Sequence, residues 1–306
     1  MFQILHGTNI PFMRYRRFMY MFSGALILST IVWLVVHGGP KYSVDFTGGT
    51  LLQVRTSRVL PADEVRSALD GSGLKGVELQ QMTGENRTEF MLRLKSSEGH
   101  SDPFPGVQRA IESRFQGVTV ELRRTEQVGP KVGGELRQKA IWAVLGSLAG
   151  ILLYVGIRYE FKFAVGAVMA LFHDVFVTLG LLCFTGREIS LTVVAALLTI
   201  AGYSINDTIV VFDRIRERSK ALRKEKHSRV MDIAVNETLS RTIITALTVF
   251  LTAVALFVWG GEVLRDFSFA MLVGVGFGTY SSVYVASALA LDIWIGLDRR
   301  KGLQVE

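Results

Sequence analysis

One aspartate lies inside a long apolar run of this sequence. Asp207 belongs to the stretch GYSINDTIVVFDRIRE (Gly202–Glu217). The apolar run ends within this stretch, where acidic and basic residues alternate. A carboxylate costs about 2.5–3.5 kcal/mol at the centre of a membrane helix, so it persists where it faces a bundle interior or a water path. The position predicts an ion or proton site, with a satisfied structural carboxylate as the alternative.

At helical spacing, the polar residues around Asp207 fall on one face of their helix, and the polar residues of the next apolar segment fall on one face of theirs. We refer to each of these faces as a polar stripe. The stripes consist of Thr199, Tyr203, Asn206 and Asp207, and of Arg241, Thr245, Thr248 and Thr252. Because polar groups are costly against lipid, both stripes are expected to face the interior. Asp207 and Arg241 lie at the same end of their segments, so we expect them to meet and share a proton relay. A snorkelling arginine at the interface is the alternative for Arg241.

Two further features lie in apolar segments. His173 and Asp174 occur together in ALFHDVFVTLG and either extend the relay or satisfy each other; too few ligands surround them for a metal site. The last apolar segment repeats small residues every four positions, which predicts a helix-packing face within the bundle or against a partner subunit. This face consists of Gly274, Gly278, Ser282, Ala286 and Ala290.

The elements that must hold these residues are membrane spans. Hydrophobic residues make up 49% of the 306 residues, and the mean hydropathy is +0.34. Long apolar segments, each near the ~20 residues that cross a bilayer, are Phe18–Val36, Ala140–Ile157, Phe163–Thr185, Leu191–Phe212, Ile243–Trp259 and Phe267–Leu291. We expect a bundle of six transmembrane helices, the first an uncleaved span rather than a signal peptide.

The basic residues indicate an orientation. They concentrate before the first span, in segment 213–240 and in the tail, whereas the two short loops on the opposite side hold only Arg187 and Arg265. The positive-inside rule then predicts that both termini lie in the cytoplasm. The predicted parts are 1–37 (N-terminus and first span), 38–139 (extracytoplasmic domain), 140–292 (five spans with cytoplasmic loop 213–240) and 293–306 (cytoplasmic tail). Topology explains the basic loop without any nucleic-acid partner.

The extracytoplasmic segment reads as a small α+β domain. Its pattern predicts strands at Thr50–Thr56, Val77–Met82, Glu89–Lys95 and Val118–Val128, with helices at Pro61–Leu69 and Val107–Phe115. The order β-α-β-β-α-β is that of a ferredoxin-like domain inserted into the bundle. It contains no nucleophile–base set, metal cluster or phosphate loop, so we expect neither an enzyme nor a cofactor. The single cysteine, Cys183, excludes an intrachain disulfide.

Glycine-rich segments flank this domain, VDFTGG (Val44–Gly49) and VGPKVGGEL (Val128–Leu136). Glycine permits backbone angles that other residues avoid, so the segments are either a pair of hinges or tight turns. The hinge candidates are Gly48, Gly49, Gly129, Gly133 and Gly134.

The chain resembles the SecF family of the SecD/SecF group, in the resistance-nodulation-division superfamily. The resemblance rests on the motifs VDFTGG, VGPKVGGEL, ALFHDVFVTLG, GYSINDTIVVFDRIRE and SRTIITALTVF and on the glycine-serine last span. The resemblance covers nearly the whole chain. It implies an accessory membrane subunit of the bacterial Sec protein-export machinery, and its key intramembrane acid and base fall at Asp207 and Arg241.

The resemblance also implies partners and an energy source. The partners would be SecD, the SecYEG translocon with YajC, and the translocating preprotein, and the energy would come from the proton-motive force. The SecD half, with its own acidic residue, is not in this sequence, so a complete proton path is expected to need SecD. The alternatives are a non-transporting scaffold that stabilises the translocon and a half-size efflux transporter, against which the compact outer domain argues.

Overall fold

The computed structural model of the chain describes residues 7–74, 77–82, 88–94, 102–159 and 161–300. The chain divides into two compact units, Met1–Lys41 with Trp142–Glu306, and Tyr42–Ile141. The first unit holds the apolar helices and the second holds the sheet. Parts of the predicted N-terminus, tail and third strand (1–6, 301–306 and Lys95) lie outside the described residues.

The helical unit contains helices α1 (Arg16–Val36, after a 3-10 turn at Phe12–Tyr15), α5 (Pro130–Arg158, shared with the other unit), α6 (Phe161–Phe184), α7 (Leu191–Ala221), α8 (His227–Trp259), α9 (Gly261–Ser281) and α10 (Ser287–Arg300). A π-helical turn, Ser282–Ala286, joins α9 to α10 into one rod. Within the described residues, six helices are long and apolar enough to cross a membrane, with α9 to α10 as the sixth. The predicted six spans are thus present, and the protein is a multi-pass membrane protein.

Helices α6, α7 and the α9–α10 rod form the centre of this unit. Their facing residues are small or branched, and Ala167, Leu171, Ile200, Ala286 and Leu291 are almost wholly buried. Helix α5 is mostly exposed within this chain, whereas α8 has buried, partly buried and exposed residues, with few buried ones in its apolar part. Apolar side chains exposed in this way can face lipid, whereas polar side chains exposed to lipid are costly.

The basic segment 213–240, expected as a loop, is mostly helical. Helix α7 continues to Ala221 and α8 begins at His227, so only 222–226 connect them. Arginine, glutamate and lysine are good helix formers, and oppositely charged pairs support the extension within and between the helices. Arg214 pairs with Glu217 one turn later, at 2.6 Å, and with Glu237 on α8, at 2.7 Å. We refer to this extension of both helices as the α7–α8 hairpin.

The second unit contains α2 (Val44–Thr47), β1 (Gly49–Thr56), α3 (Ala62–Gly71), β2 (Glu78–Gln81), β3 (Glu89–Leu94), α4 (Phe104–Arg114) and β4 (Val120–Val128). Its strands and two longer helices follow one another in the predicted order. The sheet is antiparallel, in the order β2-β3-β1-β4, with a bulge at Arg123 of β4, opposite Gln53 and Val54 of β1. Alternate residues of the strands, such as Leu52, Val54 and Phe90, pack with α3 and α4 in one core.

The two glycine-rich segments have different structures. VDFTGG forms the short helix α2, capped by Ser43, and then turns through Gly48 (φ 71°) and Gly49 (φ 129°), angles that favour glycine. VGPKVGGEL is not a loop, because α5 starts at Pro130, a residue that suits the first helical turn. Gly133 lies inside α5 against Gly48, where a β-carbon would lie 2.9 Å from the Gly48 nitrogen. Gly129 and Gly134 have no such neighbour.

An ion pair with a buried glutamate stabilises the sheet. Glu89 on β3 is 5% exposed and accepts hydrogen bonds from Arg55 Nε at 2.8 Å and Gln53 Nε2 at 2.7 Å. Burial alone would raise the pKa of Glu89, but the hydrogen bonds from Arg55 and Gln53 outweigh burial, and the pKa lies below its ordinary value. This carboxylate therefore stabilises the sheet above its unfolded-state pKa, and the contribution is lost as pH falls through the folded-state pKa.

We expect Glu89→Gln to lower the free energy of unfolding of the sheet by about 1–2 kcal/mol at neutral pH. The measurement is hydrogen–deuterium exchange of the β1 and β3 amides in the whole chain, from pH 7 to pH 3. Protection of these amides should also fall less on acidification in the variant than in the unaltered chain. Asp63→Asn is the control, because Asp63 is 94% exposed and its surface pair with Arg66 contributes little. Equal effects of the two changes would contradict this role of Glu89.

Candidate functional site

Asp207 lies on α7 with its side chain 2% exposed. Thr245 of α8 donates a hydrogen bond to Oδ1 of Asp207 at 3.3 Å. Within the described residues, the other carboxyl oxygen of Asp207, the hydroxyl of Tyr203 and the hydroxyl of Thr242 are buried without a hydrogen-bond partner. Buried polar atoms normally find partners, so this group of buried oxygens between α7 and α8 stands out as the candidate site.

The position of Arg241 differs from the expected one. It is exposed on α8, one turn before Thr245, and makes no ion pair with Asp207 within 4 Å in the described part of the chain. The predicted contact between acid and base is thus absent from this conformation. The positions of both residues along their apolar segments predicted that they lie at the same end of the bundle. Such positions could not give the rotation of α8.

The two polar stripes face the interior only in part. Asp207 is buried and Tyr203 is partly buried, whereas Asn206 and four other members are exposed: Thr199, Arg241, Thr248 and Thr252. The threonines need no interior partner, because each hydroxyl bonds a carbonyl of its own helix. Examples are Thr199 to Ala195 O at 2.8 Å and Thr252 to Thr248 O at 3.0 Å.

His173 and Asp174 form a separate buried cluster on α6. Asp174 is 0% exposed, and its Oδ2 accepts hydrogen bonds from Ser204 of α7 at 2.6 Å and Ser281 of α9 at 2.7 Å. His173 Nδ1 lies 3.0 Å from Oδ1 of Asp174, while its Nε2 is buried without a partner within the described residues. Asp174 thus joins the three central helices. Among the residues that the structure describes, no hydrogen bond connects this cluster to Asp207.

The small-residue face of the last span packs on the central helices. A β-carbon on Gly274 would lie 2.3 Å from Ile200 Cδ1, and one on Gly278 would lie 3.3 Å from Ser204 Cβ, both on α7. Ser282 shares a hydrogen bond of 2.9 Å with Thr208, the residue after Asp207. Ala286 presents its carbonyl to Gly166 of α6. The structure therefore places this face inside the bundle, against the helix that carries Asp207.

Three contributors to these clusters escaped the sequence-based prediction. Ser204, Ser281 and Thr208 are small hydroxyl residues in apolar helices, a class too common there to single out. Their signal was their spacing: Ser204 lies one helical turn before Asp207, and Ser281 is next to a member of the small-residue face. Within the described residues, no cluster of three or more metal-ligating side chains is present.

Two family descriptions match the chain. "Protein export membrane protein SecD/SecF, C-terminal" matches residues 108–295, and "SecD/SecF GG Motif" matches residues 33–58. The chain is 44% identical to the protein translocase subunit SecF of Vibrio alginolyticus, over 100% of this chain and 97% of that protein. It is 39% identical to the SecF subunit of Escherichia coli O157:H7, over 99% and 93% of the two chains.

Solved structures of SecDF are also similar to this chain. The crystal structure of SecDF, a translocon-associated membrane protein from Thermus thermophilus, is similar with a TM-score of 0.86 and 38% identity. The alignment covers 97% of this chain and 40% of that chain. SecDF in its super-membrane-facing form gives a TM-score of 0.71 and 36% identity, over 99% and 41% of the two chains.

Proposed function

Since the chain belongs to the SecD/SecF family of protein-export membrane proteins, we propose that it is an accessory subunit of the Sec protein translocase that uses the proton-motive force. In this proposal it acts with SecD to promote export of preproteins across the bacterial cytoplasmic membrane. The observation that carries the proton-coupled part is Asp207, a buried carboxylate in a membrane-spanning helix with one unpaired oxygen within the described residues.

The geometry suggests how the site works. A charged Asp207 can accept hydrogen bonds at both oxygens, whereas a protonated one also donates. A change in the protonation of Asp207 therefore alters the hydrogen bonds that Thr245 and Tyr203 can form with it. Arg241, one turn away on α8, can approach the charged form. Protonation therefore favours one arrangement of α8 against α7 over another. The export cycle would use that difference to move the outer domain.

The SecD partner is proposed from two observations. The SecDF chains are more than twice as long as this one, which covers 40% and 41% of them. In addition, the polar side chains of Asn206 and Arg241 are exposed within this chain. Polar side chains are costly against lipid, so helices of a partner such as SecD are expected to cover them. SecYEG, YajC and the preprotein complete the proposed set of partners.

The proposal includes an orientation and a role for the outer domain. Both termini are placed in the cytoplasm by the distribution of basic residues, and the sheet unit outside. Its β-α-β-β-α-β order and strand order β2-β3-β1-β4 support a ferredoxin-like domain. Gly48 and Gly49, with positive φ, are the better hinge candidates, since Gly133 and Gly134 lie within α5. The proposal assigns no enzymatic reaction and no cofactor to the chain.

The test is export with and without a proton gradient. Membrane vesicles that contain the translocon and SecD, with or without this chain, are given a preprotein, and its completion of transport is measured. We expect the gradient to increase completion at least severalfold only in vesicles that hold the chain. If the chain helps equally without a gradient, a non-transporting scaffold role replaces the proton-coupled one.

A further inference from the structure

A cleft opens between the cytoplasm-facing extensions of α7 and α8. Its volume is about 740 Å³. Charged side chains line its outer part, including Asp213, Glu217 and Glu237, and Arg241 lies farther along α8. Thr245 and Ile244 line its inner end. Most of the exposed lining of the cleft is apolar, and the ionisable groups of its outer part are what favours water over lipid chains there.

The inner end of the cleft reaches the proton site. Thr245, which lines it, donates to Oδ1 of Asp207 at 3.3 Å. Tyr203 from its own helix and Thr245 from α8 lie beside Asp207, and the charge of Arg241 on α8 acts on it from a longer distance. Water that entered the cleft would therefore meet Arg241 and Thr245 before reaching the carboxyl group.

An ion-pair clamp bridges α7 and α8 at the rim of the cleft. Glu237 of α8 accepts from Arg214 Nε at 2.7 Å, and from Arg218 Nε at 2.8 Å and Nη2 at 2.6 Å. Arg218 thus holds both carboxylate oxygens, a geometry that adds strength and direction. All three side chains are about a third exposed. Ion pairs this exposed contribute roughly 1 kcal/mol or less each, so the clamp can open and close at little cost.

We infer that this cleft is an aqueous vestibule through which Asp207 exchanges protons with solution at the α7–α8 hairpin, and that Glu237 is its gate. When Arg214 and Arg218 hold Glu237, α7 and α8 are drawn together at the rim. When they release it, the rim widens and water reaches Thr245. The inference rests on the proposed function of Asp207 and adds the residues that control access to it.

The test measures access with single cysteines. Cys183, the native cysteine, is buried and is replaced by alanine to give a silent background. Ile244→Cys then reports the inner cleft, Lys224→Cys marks the hairpin side and Val59→Cys marks the sheet unit. A membrane-impermeant thiol reagent is added to one side of vesicles at a time, with SecD present. We expect Ile244→Cys to react from the side on which Lys224→Cys reacts and not from the side of Val59→Cys.

The gate is tested in the same assay. Adding Glu237→Gln should raise the labelling rate of Ile244→Cys at least threefold and leave that of Lys224→Cys unchanged. Glu217→Gln is the matched control, because Glu217 is also on the rim but pairs only with Arg214 among the described residues. Its effect should be less than half as large.

Failure of this inference is distinguishable from failure of the proposed function, because labelling does not require export. No reaction of Ile244→Cys from the hairpin side, or a rate that Glu237→Gln leaves unchanged, overturns the vestibule or its gate. A normal labelling pattern together with export that ignores the proton gradient would instead retain the vestibule and reject the proton-coupled function.

Discussion

Asp207→Asn is expected to abolish the stimulation of export by a proton gradient while the protein still folds and inserts. Asparagine has nearly the same shape and can still accept the hydrogen bond from Thr245, but it cannot bind and release a proton. The expected result is a complete loss of the gradient-dependent component of preprotein transport. The measurement compares wild type and variant in vesicles with SecD, at equal protein levels, with and without the gradient.

Asn206→Ala is the matched control for this experiment. Asn206 precedes Asp207 on α7, but its side chain is exposed within this chain, so it does not share the buried pocket. The control should keep most of the gradient response. If Asp207→Asn keeps it as well, the carboxylate is structural and the scaffold role becomes the better explanation.

Helix number and order could be predicted from the sequence because long apolar runs allow few other structures. The order of strands and helices in the sheet unit also followed from local alternation and turn residues. The exact extent of the helices did not follow. Charged segment 213–240 looked like a loop by hydropathy, yet arginine–glutamate pairs such as Arg214–Glu237 make it a helical hairpin.

The candidate site was predictable as a set of residues and not as a geometry. Asp207 and Asp174 stand out because a carboxylate in an apolar run is rare. Their partners do not, since Ser204 and Ser281 become ligands of Asp174 only when three helices meet. The rotation of α8, which leaves Arg241 exposed, depends on packing between helices, and periodicity along one helix cannot fix it.

The contact between α6 and the last span is expected to tolerate no added carbon atom at Gly166. A β-carbon there would lie 2.6 Å from the carbonyl oxygen of Ala286, which belongs to the backbone and cannot rotate away. Ala286 ends the π-helical turn, so a shift would also move Ser282 from Thr208. We expect Gly166→Ala to destabilise the protein by about 1–3 kcal/mol and to weaken the gradient response, as measured by thermal unfolding in detergent and by export.

Gly150→Ala on α5 separates this contact from the general effect of replacing a helical glycine. No atom lies within 4 Å of the β-carbon that it would add, and alanine favours a helix over glycine by up to about 1 kcal/mol. Its stability should therefore be unchanged or slightly higher, whereas Gly166→Ala should unfold at a lower temperature. Equal unfolding temperatures would show that α6 and the last span can separate freely. The small-residue face would then not hold the helix of Asp207 in place.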